Sequence, residues 1–269
     1  MRRWFVVFAF ILLSGISEAA EVSMEGNFIQ GGLVFGKTKP GNKVELDGKQ
    51  LGLSSDGRFL IGFGRNAPEQ VSLSITGGDG KTDRRTLSVS SRQYKVQRID
   101  GLPSRKVTPK PEDVARIKAD NAGIGRVRGL DTVDAYFAAG FIWPVTGPLS
   151  GVFGSQRILN GKPKNPHNGT DIAAPEGTII KAPSDGQVAL VSDDMFYTGK
   201  TLMLDHGLGL TSVYAHMSAI LVKQGSMVKK GTPIGKVGKT GRVTGAHLHW
   251  GMTLGRTHLD PALIAGKMP

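Results

Sequence analysis

Four of the six histidines in this chain sit in short patterned strings: His167 in "HNGTD", His216 in "YAH", and His247 and His249 in "HLHW". In the strand-like run "AHLHWGM" a period of two turns both imidazoles to one face and Leu248 to the other. His167 and Asp171 are four apart, a spacing that shares a face in helix or strand, and the intervening "NGT" argues against helix. Two neutral imidazoles and a carboxylate suit Zn²⁺ and leave a fourth tetrahedral position for water. Water in such a site has a pKa of about 7, so a nucleophile forms without any serine or cysteine.

Each pair alone is compatible with a solvated strand or a chance spacing. Their co-occurrence in one β-rich region, where distant strands converge, favours a shared site. In "TSVYAHM" alternation predicts Ser212, Tyr214 and His216 on one face and Val213 and Ala215 on the other, which makes His216 a polar-face histidine. His206, before Gly207, and His258, near the carboxyl end, read as turn or surface residues. The absence of cysteine excludes thiolate zinc ligands, a cysteine nucleophile and disulfides. "GKT" occurs at Gly199 and Gly238, but Asp194 and Pro233 stand where a phosphate loop needs glycine. "GIGRVRG" at Gly123 follows no strand, and no G-x-S-x-G or H-E-x-x-H string occurs.

The elements that must position these residues are mainly β. From residue 141 onward, "GTIIKAP", "GQVALVS", "KTLMLDH", "TSVYAHM", "SMVKKG", "TPIGKVG" and "AHLHWGM" are strand-length runs at close turn spacing. None leaves room for a crossover helix, which predicts mostly antiparallel pairing. Residues 20–97 read as a separate small antiparallel β domain, with Asp-Gly hairpin signals in "VELDGKQLGL" and "LSSDGRFLIGF". Residues 98–140 read as a connector. Pro103, Pro109 and Pro111 stiffen it, and a mostly helical stretch from Pro111 to about Ala139 follows, interrupted at Gly123 and Gly125.

Met1 to Ala19 carries a basic start, an apolar run from Trp4 to Leu13 and a small-residue exit, as a secretory signal peptide does, with cleavage after Ala19. The apolar run is short for the ~20 residues of a spanning helix, and no later stretch reaches that length. The expectation is an exported, periplasmic or secreted chain without a transmembrane segment after cleavage. The formal charge is +12, spread as 19 basic against 14 acidic residues over 20–140 and 13 against 7 over 141–269. An even excess suits solubility or an anionic cell envelope better than a concentrated nucleic-acid footprint, so no nucleic-acid partner is expected.

The H-x-x-x-D, Tyr-x-His and H-x-H strings, in this order and framed by "GVFGSQR", "DIAAPEGT", "APSDGQV" and "KKGTPIGKVGKTG", resemble the lysostaphin/LytM-type zinc metallopeptidases. The resemblance covers nearly all of the chain after Trp143, defining a peptidase domain over 141–269. The stretch from "GNFIQGGLVFG" to "DGRFLIGFGR" is similar to the small β domain that precedes the peptidase in some Gram-negative envelope members. The resemblance implies one zinc ion per chain held by His167, Asp171 and His249, with His216 and His247 flanking the metal-bound water. It further implies a mainly β LytM-type antiparallel sheet and an endopeptidase acting on peptidoglycan stem peptides or cross-links. No glutamate adjoins the three motifs, so of His216 and His247 one acts as base and the other as donor to the oxyanion. Some relatives have lost ligands and activate cell-wall amidases instead, so a non-catalytic wall-binding activator is the alternative, as is a zinc hydrolase of other glycine-rich peptides. All ligand positions are intact in this chain.

Overall fold

The computed structural model describes residues 21–269, and the signal-peptide reading of residues 1–19 lies outside them. Antiparallel β structure dominates, as the turn-punctuated apolar runs predict. No helix among the described residues is long and apolar enough to cross a membrane.

The amino-terminal part holds two small antiparallel sheets. One orders Val22–Gly26, Leu33–Thr38 and Arg58–Gly62; the other orders Lys49–Gln50, Lys43–Leu46, Gln70–Thr76 and Thr82–Ser88. Asp47 and Gly48, both at positive φ (46° and 74°), make the tight hairpin expected of Asp-Gly. Asp56-Gly57 behaves differently. Its turn is closed by Ser54, whose Oγ accepts from the Arg58 backbone, and the strand that follows pairs with Leu33–Thr38 rather than folding back as a hairpin. Val34, Phe59, Ile61, Leu73 and Ile75 form a core of their own. Gly36 allows Phe59 to lie flat across the sheet, since a Cβ there would sit 2.2 Å from the ring.

Alternation along the same strands turns Leu33 and Leu60 the other way, into the core of the carboxyl-terminal part, and Phe35 packs on Phe137 and Phe141. Arg92 pairs with Asp260 at 2.8 Å, Arg65 donates to the Gly154 carbonyl at 2.7 Å, and Asn27 donates to the Leu263 carbonyl. The two β parts therefore share apolar and polar contacts rather than hanging on a free tether.

The connecting segment is built into the carboxyl-terminal part. Its strand Val96–Ile99 pairs parallel with Gln156–Leu159, which in turn pairs with Lys162–Pro163. Two helices follow, Ser104–Val107 and Val114–Arg128. The Asp113 carboxylate accepts from Arg105 Nε at 2.8 Å and from the Lys110 backbone at 3.1 Å, tying the turn before the second helix. That helix runs without a break through Gly123 and Gly125, contrary to the expected interruption. Packing supplies what propensity lacks. Gly123 faces Leu190, Asp120 accepts from the Phe196 backbone at 2.7 Å, and Arg116 pairs with Asp194 at 2.7 Å.

The main sheet orders Met227–Val228, Gly186–Met195, Gly199–Asp205, Leu210–Met217, His247–Leu254, Thr170–Ala173 and Leu149–Gly151, with Thr257–Leu259 pairing beside His247–Leu254. All its pairings are antiparallel. Leu248, Trp250 and Met252 point to one face and are fully buried with Tyr214, Leu202 and Ile172. Their burial fixes the register of the central strand, because a one-residue slip would carry this whole apolar row out of the core.

Candidate metal centre

That register delivers His247 and His249 to the opposite face of the sheet. Asp171 stands directly across from His249 on one side, and Ala215 stands across from it on the other. His167 reaches the same face from the loop before Thr170–Ala173, with its backbone bonded to Ser155 and Gly154. His167, Asp171 and His249 thus meet.

His216 arrives by a different route from the one alternation predicts. Between the Lys200↔Met217 and Leu202↔Tyr214 pairings the Leu210–Met217 strand carries one more residue than its partner, a β-bulge, and His216 there has φ of 65°. Tyr214 stays in the core opposite Trp250, while the His216 ring lies 4.9 Å from the His247 ring. The extra residue takes His216 off the face of Ser212 and Tyr214. A non-glycine residue held at positive φ is strained backbone, which persists only where surrounding structure over-determines it. Here the His216 backbone N–H donates to Thr198 and its ring Nδ1 donates to the Thr240 carbonyl at 2.8 Å.

The three candidate ligand atoms form a tight triangle. His249 Nδ1 lies 2.7 Å from Asp171 Oδ1, His167 Nε2 lies 3.0 Å from the same oxygen, and the two nitrogens are 3.1 Å apart. With zinc–nitrogen bonds of about 2.0–2.1 Å, tetrahedral neighbours sit about 3.3 Å apart, so these three atoms are spaced as one ion requires. The tautomers agree. His167 Nδ1 donates to the Val152 carbonyl at 3.1 Å and His247 Nδ1 to the Gly245 carbonyl at 2.9 Å. Each of these rings, and that of His216, therefore presents an Nε2 lone pair.

Electrostatics favour the same protonation states. Burial pushes His167 down to about 4. Burial, reinforced by His247 and His249, holds His216 well below its ordinary value. Burial works against the Asp171 charge, but the adjoining His167 and His249 rings outweigh it and hold the carboxyl well below the usual carboxylate range. The donor set is two neutral imidazoles and an anionic carboxylate, which fits a zinc ion.

Several contributors escape a reading of spacing alone. Arg157 Nη2 binds the second oxygen of Asp171 at 2.5 Å, fixing which oxygen faces the histidines. Gly151 lets the cluster close, since a Cβ there would lie 2.4 Å from Asp171 Oδ2 and 3.1 Å from His167 Cε1. Both lie within "GVFGSQR", whose glycines and arginine were the available signal. His206 is no surface turn. It is fully buried, its Nδ1 bonded to the Asp185 carbonyl and its Nε2 to Ser212, which continues to the Tyr214 hydroxyl. His258 is half-buried in the wall of a groove of about 880 Å³ that opens beside His167 and His249.

Residues 165–261 match the model of peptidase family M23. The chain is 46% identical over 85 residues to the peptidoglycan DD-endopeptidase ShyA of Vibrio cholerae, covering 32% of this chain and 20% of that protein. It is 39% identical over 103 residues to the DD-carboxypeptidase/endopeptidase Mpg of Neisseria meningitidis, covering 38% of this chain and 24% of that one. The matched region thus spans about a quarter or less of these curated relatives. A crystal structure described as a peptidase M23 from Pseudomonas aeruginosa superposes with a TM-score of 0.68 at 31% identity, covering 88% of this chain and 95% of that one. The likeness therefore takes in the amino-terminal β part as well as the ligand-bearing sheet, and the chain belongs to peptidase family M23.

Proposed function

We propose that this chain is a zinc-dependent endopeptidase that hydrolyses peptide bonds in peptidoglycan stem peptides or cross-links, acting outside the inner membrane. The observation that carries the reading is the convergence of five polar side chains, His167, Asp171, His216, His247 and His249, on one face of a sheet whose other face is apolar core. The name borne by ShyA supports peptidoglycan as the substrate, and that of Mpg supports endopeptidase action.

His167, Asp171 and His249 would hold one ion. When bound, zinc supplies Lewis acidity toward the scissile carbonyl and lowers the pKa of a water to about 7. His216 and His247 do the proton work. Each has Nδ1 committed to a backbone carbonyl, which orients its Nε2. One Nε2 takes the proton of the attacking water and returns it to the leaving amine, and the other ring, when it carries a proton on Nε2 as well as on Nδ1, donates to the developing oxyanion. Arg157 keeps Asp171 oriented through its second oxygen.

Metal analysis run alongside digestion of purified peptidoglycan tests this. His167→Ala and His249→Ala should lose zinc and fragment release together. His216→Ala and His247→Ala should keep one zinc per chain and lose about 10²-fold or more in turnover. Hydrolysis by metal-free protein would reject the scheme. A zinc-loaded chain that binds the wall and releases no fragments would instead favour the amidase-activating alternative, which the intact ligand triangle counts against.

A further inference from the structure

Besides the large groove, a cavity of about 150 Å³ reaches the metal centre, lined by Asp171, His216 and His247 together with Gln97, Ile99 and Leu102. The last three belong to the connecting segment and lie outside residues 165–261, which carry the family match. Parallel pairing brings them here, with Gln97 beside Arg157 and Ile99 beside Leu159 in the ladder of Val96–Ile99 with Gln156–Leu159. Asn160 fixes the end of the segment, donating to the Leu102 carbonyl at 2.7 Å and accepting from the Leu102 backbone at 3.2 Å. Register partners on paired strands project to the same face, so Gln97 shares the face of Arg157, whose Nη2 holds Asp171 at 2.5 Å. Arg157 lines the same cavity.

The Gln97 carboxamide is fixed at one end only. Its Nε2 donates to the Ser150 carbonyl at 3.0 Å, and the next residue, Gly151, stands across from Asp171. Its Oε1 is buried and has no donor among the described residues. Arg157 Nε is likewise buried and has no acceptor. An unpaired acceptor and an unpaired donor thus sit on neighbouring strands of one cavity wall, and each destabilises the fold until a partner is supplied.

We infer that Gln97 is a substrate-binding residue. Its Oε1 accepts the N–H, and Arg157 Nε donates to the C=O, of one substrate residue beside the pair joined by the scissile bond, so that the connecting segment completes the active site. The inference rests on the peptidase reading above. A residue of an extended peptide turns its own N–H and C=O to the same side, as in the doubly bonded pairs of an antiparallel ladder, which matches one acceptor next to one donor. The ligand is uncharged, and the Arg157 charge is already met by Asp171.

The test uses the zinc-loaded full chain and a stem-peptide dimer in three forms: all amide, or with the amide N–H on one side or the other of the scissile pair replaced by an ester oxygen. Product masses identify the bond cut in each. One of the two esters should lower kcat/KM about ten-fold, mainly through KM, as expected when a buried acceptor loses its donor. Gln97→Leu should keep one zinc per chain, cleave the all-amide dimer about ten-fold less efficiently and cease to distinguish it from that ester. Lys49→Gln, on an exposed strand of the amino-terminal part, should behave as the unaltered protein does. Equal kcat/KM of the unaltered protein for all three dimers would overturn the Gln97 contact and leave the peptidase reading standing, whether or not the variant folds. A Gln97→Leu protein that is slower yet still discriminates would mark the side chain as structural and overturn the contact as well. Cleavage of none of the dimers by the unaltered protein would overturn both readings.

Discussion

At the scale of single residues, the site is governed by how closely groups approach. The ligand triangle has edges near 3 Å, and such spacing tolerates no intruding atom. Gly151→Ala places a methyl against both Asp171 and His167, so it should lower zinc occupancy and abolish activity while far-UV circular dichroism stays as in the unaltered protein. Normal metal content in that variant would show that the cluster relaxes. The candidate ligands are partly legible in the sequence: the strand period puts both imidazoles of H-x-H on one face, while the choice of His249 over His247 as ligand comes from the family resemblance. Arg157 and Gly151 are not legible in that way. Their roles depend on which side chain a distant loop brings near, and no local period reports that.

At the scale of elements, strand lengths and antiparallel pairing follow from alternation and turn residues, but two features do not. The Val114–Arg128 helix contains two glycines and a thin apolar stripe, so its own propensity predicts a break. Contacts with Leu190, Asp194 and Phe196 hold it together, and those are tertiary. Gly125 meets nothing within 4 Å of an added Cβ, and it sits in the helix interior without positive φ. Gly125→Ala should therefore stabilise the fold by about 0.5–1 kcal/mol, seen as a rise of roughly 1–4 °C in Tm. A fall in Tm would mean that the groove-facing side of the helix needs the space. The second feature is the Ala215–His216 bulge, where alternation assigns His216 to the wrong face because it cannot count a residue with no partner.

At the scale of the whole molecule, the amino-terminal β part and the ligand-bearing sheet share a core through Leu33 and Leu60. A second groove of about 460 Å³, lined by Arg65 and Asn66 of the amino-terminal part, shares Asn168 and His258 with the groove at the metal centre. The surfaces next to the His-Asp-His cluster thus belong to both parts. Buried histidines give the assembly a pH dependence whose sign is fixed. Burial lowers His206, and burial with Arg128 lowers His258 to about 4. The unfolded chain takes up these protons near pH 6.5 while the folded chain resists them, so the unfolded state binds more protons in between. The stability is fully present above about pH 6.5 and is lost as pH falls toward 4. Thermal melts across this range should show Tm declining on acidification, and His258→Gln should flatten part of the slope. A Tm indifferent to pH over that interval would indicate that these rings are protonated in the native state.

The supernumerary residue at the end of the Leu210–Met217 strand makes the site sensitive to arithmetic as much as to chemistry. Removing Ala215 would preserve every imidazole and carboxylate, yet the restored pleat would set His216 directly across from His249 in the place of Ala215 and draw it away from the Thr198 and Thr240 carbonyls that hold it now. In this fold, shortening the backbone by a single unit relocates a side chain that no substitution has touched.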